Sequence, residues 1–288
     1  MKIAVLSDIH GNLPALQTVT ADIDQWQPDL VVVNGDIVNR GPCSLACVQF
    51  VQAQPGWQVI SGNHEGFVLA CGSPHAPTYG PAYDVAQFAY WTYAQLNGVT
   101  EWLANLPEQF SWLAPDGSEF RVSHASMRSN REGLYREDED EVLRQKIAPP
   151  PAVYVTAHTH QTFIRQLDET MVVNIGSVGS PFDENPSPGY GRFTWHAKQG
   201  WQANIIRLPF DRSTIEQDYV TSGFLDEAGP LAQLMLVELR KSRGLMFRWG
   251  ERHYEQVMAG QISIEESVRD ILRDEDVRPF TGPPGWVV

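Results

Sequence analysis

Five of the eight histidines in this 288-residue chain stand in short polar clusters with carboxylates and an amide. Asp8 and His10 lie in SDIHGN, Asp36 in NGDIVNRG, Asn63, His64 and Glu65 in SGNHEG, His124 in VSHAS, and His158 with His160 in TAHTHQ. Imidazole, carboxylate and amide together suit borderline divalent first-row metals rather than calcium, and a thiolate-free set argues against copper(I) or iron–sulfur chemistry. Two carboxylates, one amide and four imidazoles are more than one ion needs; a carboxylate bridging two ions accounts for the number. Each cluster alone also reads as capping or as satisfied core polar residues. Their conjunction, each behind its own strand-like run, points to one site.

The elements that must position these residues follow from periodicity. KIAVLS, LVVVNG, WQVISG, FRVSHA and AVYVTAH read as strands. Asn12 followed by Leu13 and Pro14 starts a helix running to Trp26, and SLACVQFVQAQ is a second crossover helix. This βαβαβ order implies a parallel sheet with helices on its faces, and strand carboxyl ends in such a sheet share one rim. Between Gly66 and Glu108 the pattern is helical and aromatic, with Tyr83, Phe88, Trp91, Tyr93 and Trp102 read as packing faces. QFSWLAPDGSEFRVSH predicts a hairpin turning at Asp116-Gly117, and TFIRQL, MVVNIG, GRFTWHA and WQANIIRL predict further strands. A helix over DEDEVLRQKIA interrupts them, with the acidic run from Glu137 to Glu141 as its solvated first turn. After Pro209 only helical patterns follow, and the amphipathic PLAQLMLVELRKS has a face for the domain's own core or for a second subunit.

DIHGN, GDIVNRG, GNHE, SHAS and AHTH, spread from Asp8 to His160, resemble the five sequence blocks of the calcineurin-like metallophosphoesterase superfamily. NIGSVGSP and WTYAQLNGVTEWLANLP resemble segments of its small bacterial members, so the likeness covers about residues 1–210 and leaves 211–288 as a helical extension. The resemblance implies a four-layer αββα sandwich with two divalent transition-metal ions (Mn favoured, or Fe, Zn, Ni or Co) at its rim. Carried onto this chain, Asp8, His10 and His160 hold one ion, Asn63, His124 and His158 the other, and Asp36 bridges them. It further implies hydrolysis of phosphate monoesters or diesters by a hydroxide held between the ions, with His64 as general acid. Glu65 is then a carboxylate that fixes the loop. Arg40 stands where the protein-phosphatase branch has a phosphate-binding arginine, whereas Asn39 replaces that branch's aspartate and the AHTH ending matches the bacterial esterases. The substrate implied is a phosphorylated small molecule or a phosphopeptide. The competing functions are a serine/threonine protein phosphatase-like enzyme and a metal-binding regulatory or scaffold protein acting through its C-terminal helices, which also offer a route to a homo-oligomer.

A formal charge of −14 argues against a broad surface for nucleic acid or anionic lipid. MKIAVLSDIH is too short in apolar residues for a secretory segment, and no run approaches the ~20 apolar residues of a membrane span, so the expected location is the cytoplasm. Cys43, Cys47 and Cys71 form no metal or disulfide spacing and read as small buried hydrophobes. His75, His196 and His253 match no block and are assigned no role, while Gly176 and Ser177 are expected to shape the rim after AHTH.

Overall fold

A computed structural model describes residues 1–275. The end of the predicted helical extension, residues 276–288, lies outside the described residues. The chain opens with the expected unit: β1 (Lys2–Leu6), α1 (Leu13–Trp26), β2 (Leu30–Asn34), α2 (Ser44–Gln52) and β3 (Gln58–Ile60). Three helices follow, α3 (Asn63–Ala70), α4 (Pro81–Gln95) and α5 (Thr100–Ala104). Then come β4 (Gln109–Leu113), β5 (Glu119–Ser123), α6 (Asp140–Ile147), β6 (Val153–Thr156), β7 (Phe163–Leu167), β8 (Thr170–Asn174), β9 (Gly189–His196) and β10 (Gly200–Arg207). The described part ends in α7 (Ser213–Thr221), α8 (Phe224–Glu227), α9 (Leu231–Lys241), α10 (Leu245–Met258) and α11 (Ile264–Asp274).

The strands form two five-stranded sheets, ordered β10-β9-β1-β2-β3 and β4-β5-β6-β8-β7. β1, β2 and β3 run parallel, as do β5, β6 and β8. Antiparallel strands stand at three of the four edges, β10, β4 and β7, with the β4–β5 hairpin turning at Gly117 (φ +84°), whereas β3 is a parallel edge. Alternation along each strand explains the layers. Ile3 and Val5 of β1 pack with Val32, Phe120, Val122, Val155 and Phe193 between the sheets, whereas Ala4 and Leu6 face the α1 and α2 side chains Leu16, Val19 and Val48. On the far side Tyr154 and Val172 meet Leu143 and Ile147 of α6. The fold is therefore the four-layer αββα sandwich, with helices, sheet, sheet and helix in order.

The C-terminal helices do not stand apart from it. Leu234, Val237, Leu245, Trp249 and Ile271 belong to the same apolar cluster as Leu6 and Leu16. Fully burying such a side chain is worth about 1.5–3 kcal/mol, so the apolar face of α9 stabilises this chain's own core. The acidic run is divided: α6 starts at Asp140, and Asp138, just before it, pairs with the nearly buried Lys146 at 2.6 Å. Among the described residues no helix is long and apolar enough to cross a membrane.

Candidate metal centre

Every candidate ligand sits just past the carboxyl end of a strand: Asp8 and His10 after β1, Asp36 after β2, Asn63 after β3, His124 after β5, and His158 and His160 after β6. The parallel strands of both sheets deliver these ends to one rim. The backbone there is unusual. Asp8, His10, Asp36, His158 and His160 all adopt left-handed φ values between 48° and 64°, as do Asn39 and Arg40 at 71° and 64°. Each such non-glycine residue costs on the order of 1–2 kcal/mol, which the surrounding bonds must offset.

Those bonds are visible. The loop after β1 is tied to the loop after β2 by His10 N–H to Asp36 O (3.0 Å) and Gly11 N–H to Ile37 O (3.0 Å). Glu65, in the first turn of α3, accepts backbone N–H groups from Asp36 (2.9 Å), Ile37 (2.7 Å) and Gly62 (2.8 Å), fastening the Asp36 loop to the helix that carries Asn63 and His64. Burial and the Asp36 charge push the Glu65 carboxyl up to about 7 against these donors. Gly62 must lack a side chain, because a Cβ there would meet Asp36 Oδ1 at 2.2 Å. Ser177 Oγ–H donates to Asp8 O (2.8 Å), so Ser177 does support the rim.

Three imidazoles are oriented alike. His10 Nδ1 lies 3.3 Å from Val38 O, His124 Nδ1 2.9 Å from Asn34 O, and His160 Nδ1 bonds Ser180 O. Donation of Nδ1–H to a carbonyl leaves the Nε2 lone pair free, which is how ligating histidines are normally held. The Nε2 atoms point inward. His10 Nε2 is 3.1 Å from His160 Nε2, and Asp8 Oδ1 is 3.2 Å from His160 Nε2 and 3.7 Å from that of His10. Asp36 Oδ2 is 3.3 Å from His124 Nε2 and 3.7 Å from His10 Nε2, and Asn63 Oδ1 is 3.1 Å from His124 Nε2. Asp8–His10–His160 and Asp36–His124–His158 each bring their donor atoms within 4.8 Å of one another, and so does His10–Asp36–His64.

This donor set fits divalent cations. Asp8 Oδ1 is buried without a hydrogen-bond partner, and lone pairs 3.1 Å apart need a positive charge between them. Burial alone would raise the Asp8 and Asp36 carboxyls, yet the imidazoles around them hold both well below the usual carboxylate range. Burial would lower His124, but Asp36 lifts it to about 10, so in the metal-free protein a proton stands where a cation would. Burial pushes His10, His64 and His158 down, the last to about 4, so these rings are neutral.

His64 lines the cleft beside the rim. Its backbone N–H donates to Asp36 Oδ1 (2.8 Å), and its Nδ1 lies 2.9 Å from Asn39 Nδ2. Burial outweighs the Asp36 charge and lowers the ring's affinity for a proton, and the neutral Asn39 amide adds no charge of its own against it. The cleft, about 420 Å³, is lined by Asp36, Arg40, His64, Tyr135 and Phe182 among others. Arg40 is 15 % exposed at its side chain and ion-paired to Glu238 of α9. Phe182 stacks on His160 (centroids 4.3 Å, 18°) and carries the Arg40 guanidinium 5.4 Å above its ring. Sequence reasoning missed Phe182, Glu238 and the α9–α10 corner at this cleft; the only signal was a charge inside the apolar run LMLVEL. His75 lies in an exposed loop and His196 ends β9, while His253 is buried in α10 beside Asp270.

The fold and rim define a class. A model of the calcineurin-like phosphoesterase family matches residues 1–163, and the chain belongs to that family of hydrolases acting on phosphoester bonds. Over 228 residues the chain is 28 % identical to an uncharacterized protein of Methanocaldococcus jannaschii, covering 73 % of this chain and 88 % of that one. A symmetrical bis(5'-nucleosyl)-tetraphosphatase of Yersinia enterocolitica is 35 % identical over 72 residues, 24 % of this chain and only 25 % of that protein's length. Among solved structures the fold is similar to a metallophosphoesterase from Sphaerobacter thermophilus (TM-score 0.67, 23 % identity, 84 % of this chain and 99 % of that one). It is also similar to a hypothetical protein from Pyrococcus horikoshii (TM-score 0.67, 18 % identity, 80 % and 97 %).

Proposed function

We propose that the chain hydrolyses phosphate monoesters at a two-metal centre, with Asp8, His10 and His160 holding one divalent ion, Asn63, His124 and His158 the other, and Asp36 between them. Divalent ions bound there would supply a nucleophilic water near neutral pH and offset phosphoryl charge. His64, at the cleft side of the rim, would protonate the leaving oxygen as the P–O ester bond breaks, acting as the imidazolium that bound phosphoryl charge favours over the neutral ring that burial imposes. Arg40 grips the terminal phosphate, whose two or more free oxygens match its planar donors. The observation that carries this reading is the inward convergence of Nε2 and carboxylate atoms whose other sides are already bonded to the backbone.

A cleft of about 420 Å³ suits one small phosphorylated molecule better than a phosphopeptide in its protein. The likeness to a nucleotide hydrolase over 72 residues supports including nucleotides among the substrates tried. The boundary near residue 210 is proposed as one of family and topology, since residues on both sides share a core. The apolar face of α9 is taken up inside the chain, so a homo-oligomer through these helices would use another of their faces.

Hydrolysis of p-nitrophenyl phosphate and bis-p-nitrophenyl phosphate with added manganese tests the proposal. Chelation is expected to abolish turnover, and manganese, cobalt or nickel to restore it better than calcium, which prefers oxygen ligands. Full activity in exhaustively demetallated protein overturns it.

A further inference from the structure

The C-terminal helices reach the cleft through one buried charge. Glu238 lies in α9, where every residue from Leu231 to Leu239 except Gln233 is buried, and is itself 1 % exposed. A carboxylate so placed costs several kcal/mol unless paired. Its Oε2 accepts from Arg40 Nη2, and its Oε1 accepts the backbone N–H of Met246 at 2.6 Å, in the first turn of α10. Tyr219 of α7 donates its hydroxyl to the Arg40 carbonyl at 2.6 Å, where the backbone is left-handed. Arg40 is therefore held at side chain and main chain by helices outside the family-matched residues 1–163. Phe247, next after Met246, is 64 % exposed and lines the cleft with Gly244 and Met246.

We infer that the C-terminal helices complete the substrate-recognition side of the site, with Glu238 as the positioning residue that ties the Arg40 clamp to the Met246–Phe247 wall, and that the cleft so completed fits a compact phosphate monoester bearing an aromatic organic group. The inference rests on the phosphoesterase reading and on Arg40 as the phosphate clamp. A guanidinium has five N–H donors, and Nη2 is the Arg40 nitrogen engaged by Glu238, so the fork retains donors for phosphoryl oxygens. Beside the metal rim, where Phe182 stacks on His160, the cleft also presents Phe88, Tyr135, Met246 and Phe247, an apolar and largely aromatic surface on which a flat ring buries its faces. Its volume of about 420 Å³ accommodates a phosphate with one such group.

The test uses full-length, manganese-loaded protein, with phenyl phosphate, glycerol phosphate, bis-p-nitrophenyl phosphate, and inorganic phosphate as inhibitor. Glu238→Gln keeps an acceptor for Met246 but removes the charge. It is expected to raise KM for both monoesters and the inhibition constant of phosphate about tenfold, while diester kcat/KM stays within about twofold, as loss of one charge-assisted contact predicts. Tyr219→Phe moves the same constants in the same direction by less, and carries the test if Glu238→Gln does not fold. Phe247→Ala is expected to lose about tenfold on phenyl phosphate and little on glycerol phosphate. If Arg40→Ala is selective for monoesters but Glu238→Gln and Tyr219→Phe affect all three substrates equally, the clamp stands and the inference falls. If Arg40→Ala itself spares no substrate class, the clamp reading fails and the inference with it. An unchanged aromatic preference in Phe247→Ala overturns the substrate class.

Discussion

At the rim, seven candidate ligands come from strand ends, five of them in left-handed backbone, and each is held by bonds to neighbouring loops. At the α9–α10 corner, the side chains facing the cleft come from helix ends, and their position depends on a single buried carboxylate and the packing of α9. The rim's ligand types follow local strand-end sequence, and bonds between loops offset its backbone strain. The corner is determined by tertiary packing and shapes what enters. Changes at the rim should therefore affect every substrate alike, and changes toward the corner should separate substrates.

The largest effect is expected at the centre of the rim. Asp36→Asn keeps the shape but removes the charge that lies 3.7 Å from His10 Nε2 and 3.3 Å from His124 Nε2. Activity on all phosphoesters should fall on the order of 1,000-fold, the upper end of what one lost electrostatic contact costs, and by more than at any single outer ligand. Near-normal metal content and rate in this variant would place Asp36 outside the centre.

His64 stands between the two regions and should separate leaving groups. His64→Asn is expected to lose on the order of 100-fold on alkyl phosphates, whose alkoxides need a proton, and distinctly less on p-nitrophenyl phosphate. Metal content should stay near normal. Since a ring nitrogen of His64 gathers with donor atoms of His10 and Asp36, loss of metal would instead make His64 a ligand.

Arg40 should separate monoesters from diesters. Arg40→Ala is expected to cost about 10- to 100-fold in kcat/KM on monoesters, the worth of charge-assisted hydrogen bonds, and much less on diesters with fewer free oxygens. Equal losses would make Arg40 a structural partner of Glu238 alone.

The rim was legible in the sequence because its residues follow strand patterns directly: a period-two apolar run, a tight turn, then a ligand type. The role of Glu65 was legible only in part, since that it fastens two loops depends on Asp36 and Ile37 amides brought from another strand. Phe182 carried no signal, because its stack on His160 follows from a loop returning to the rim. PLAQLMLVELRKS left two partners open, and the choice of the chain's own core depended on helices far apart in sequence. Glu238 was visible as a charge in an apolar face, but its partner lies 198 residues away.

The smallest expected effect is on stability, and it tests whether the rim is built for cations. Burial lowers His158 to about 4 and pushes His10 and His64 down as well, so between pH 6.5 and 4 the unfolded chain binds more protons than the folded one. Their contribution is complete above the unfolded value and is lost as pH falls through that window. His124 has the opposite sign: raised to about 10 by Asp36, it contributes fully below pH 6.5 and loses that contribution as pH rises toward 10. Glu65, raised to about 7, has the opposite sign to the three imidazoles and offsets one of them between pH 7 and 4.5. Metal-free protein should therefore be most stable near pH 6.5, with an acid-side decline carried by the two imidazoles left uncompensated and continued at lower pH by the depressed Asp8 and Asp36 carboxyls. A drop in Tm on the order of 5 °C between pH 6.5 and 4.5 is expected by calorimetry. Manganese should raise Tm at pH 6.5 and lose that effect at pH 4.5, because protons and metal compete for the same nitrogens. Variants at Phe247 should leave this profile unmoved, whereas a Tm of the chelated protein that is flat across the window would mean the rim histidines are not buried as neutral donors.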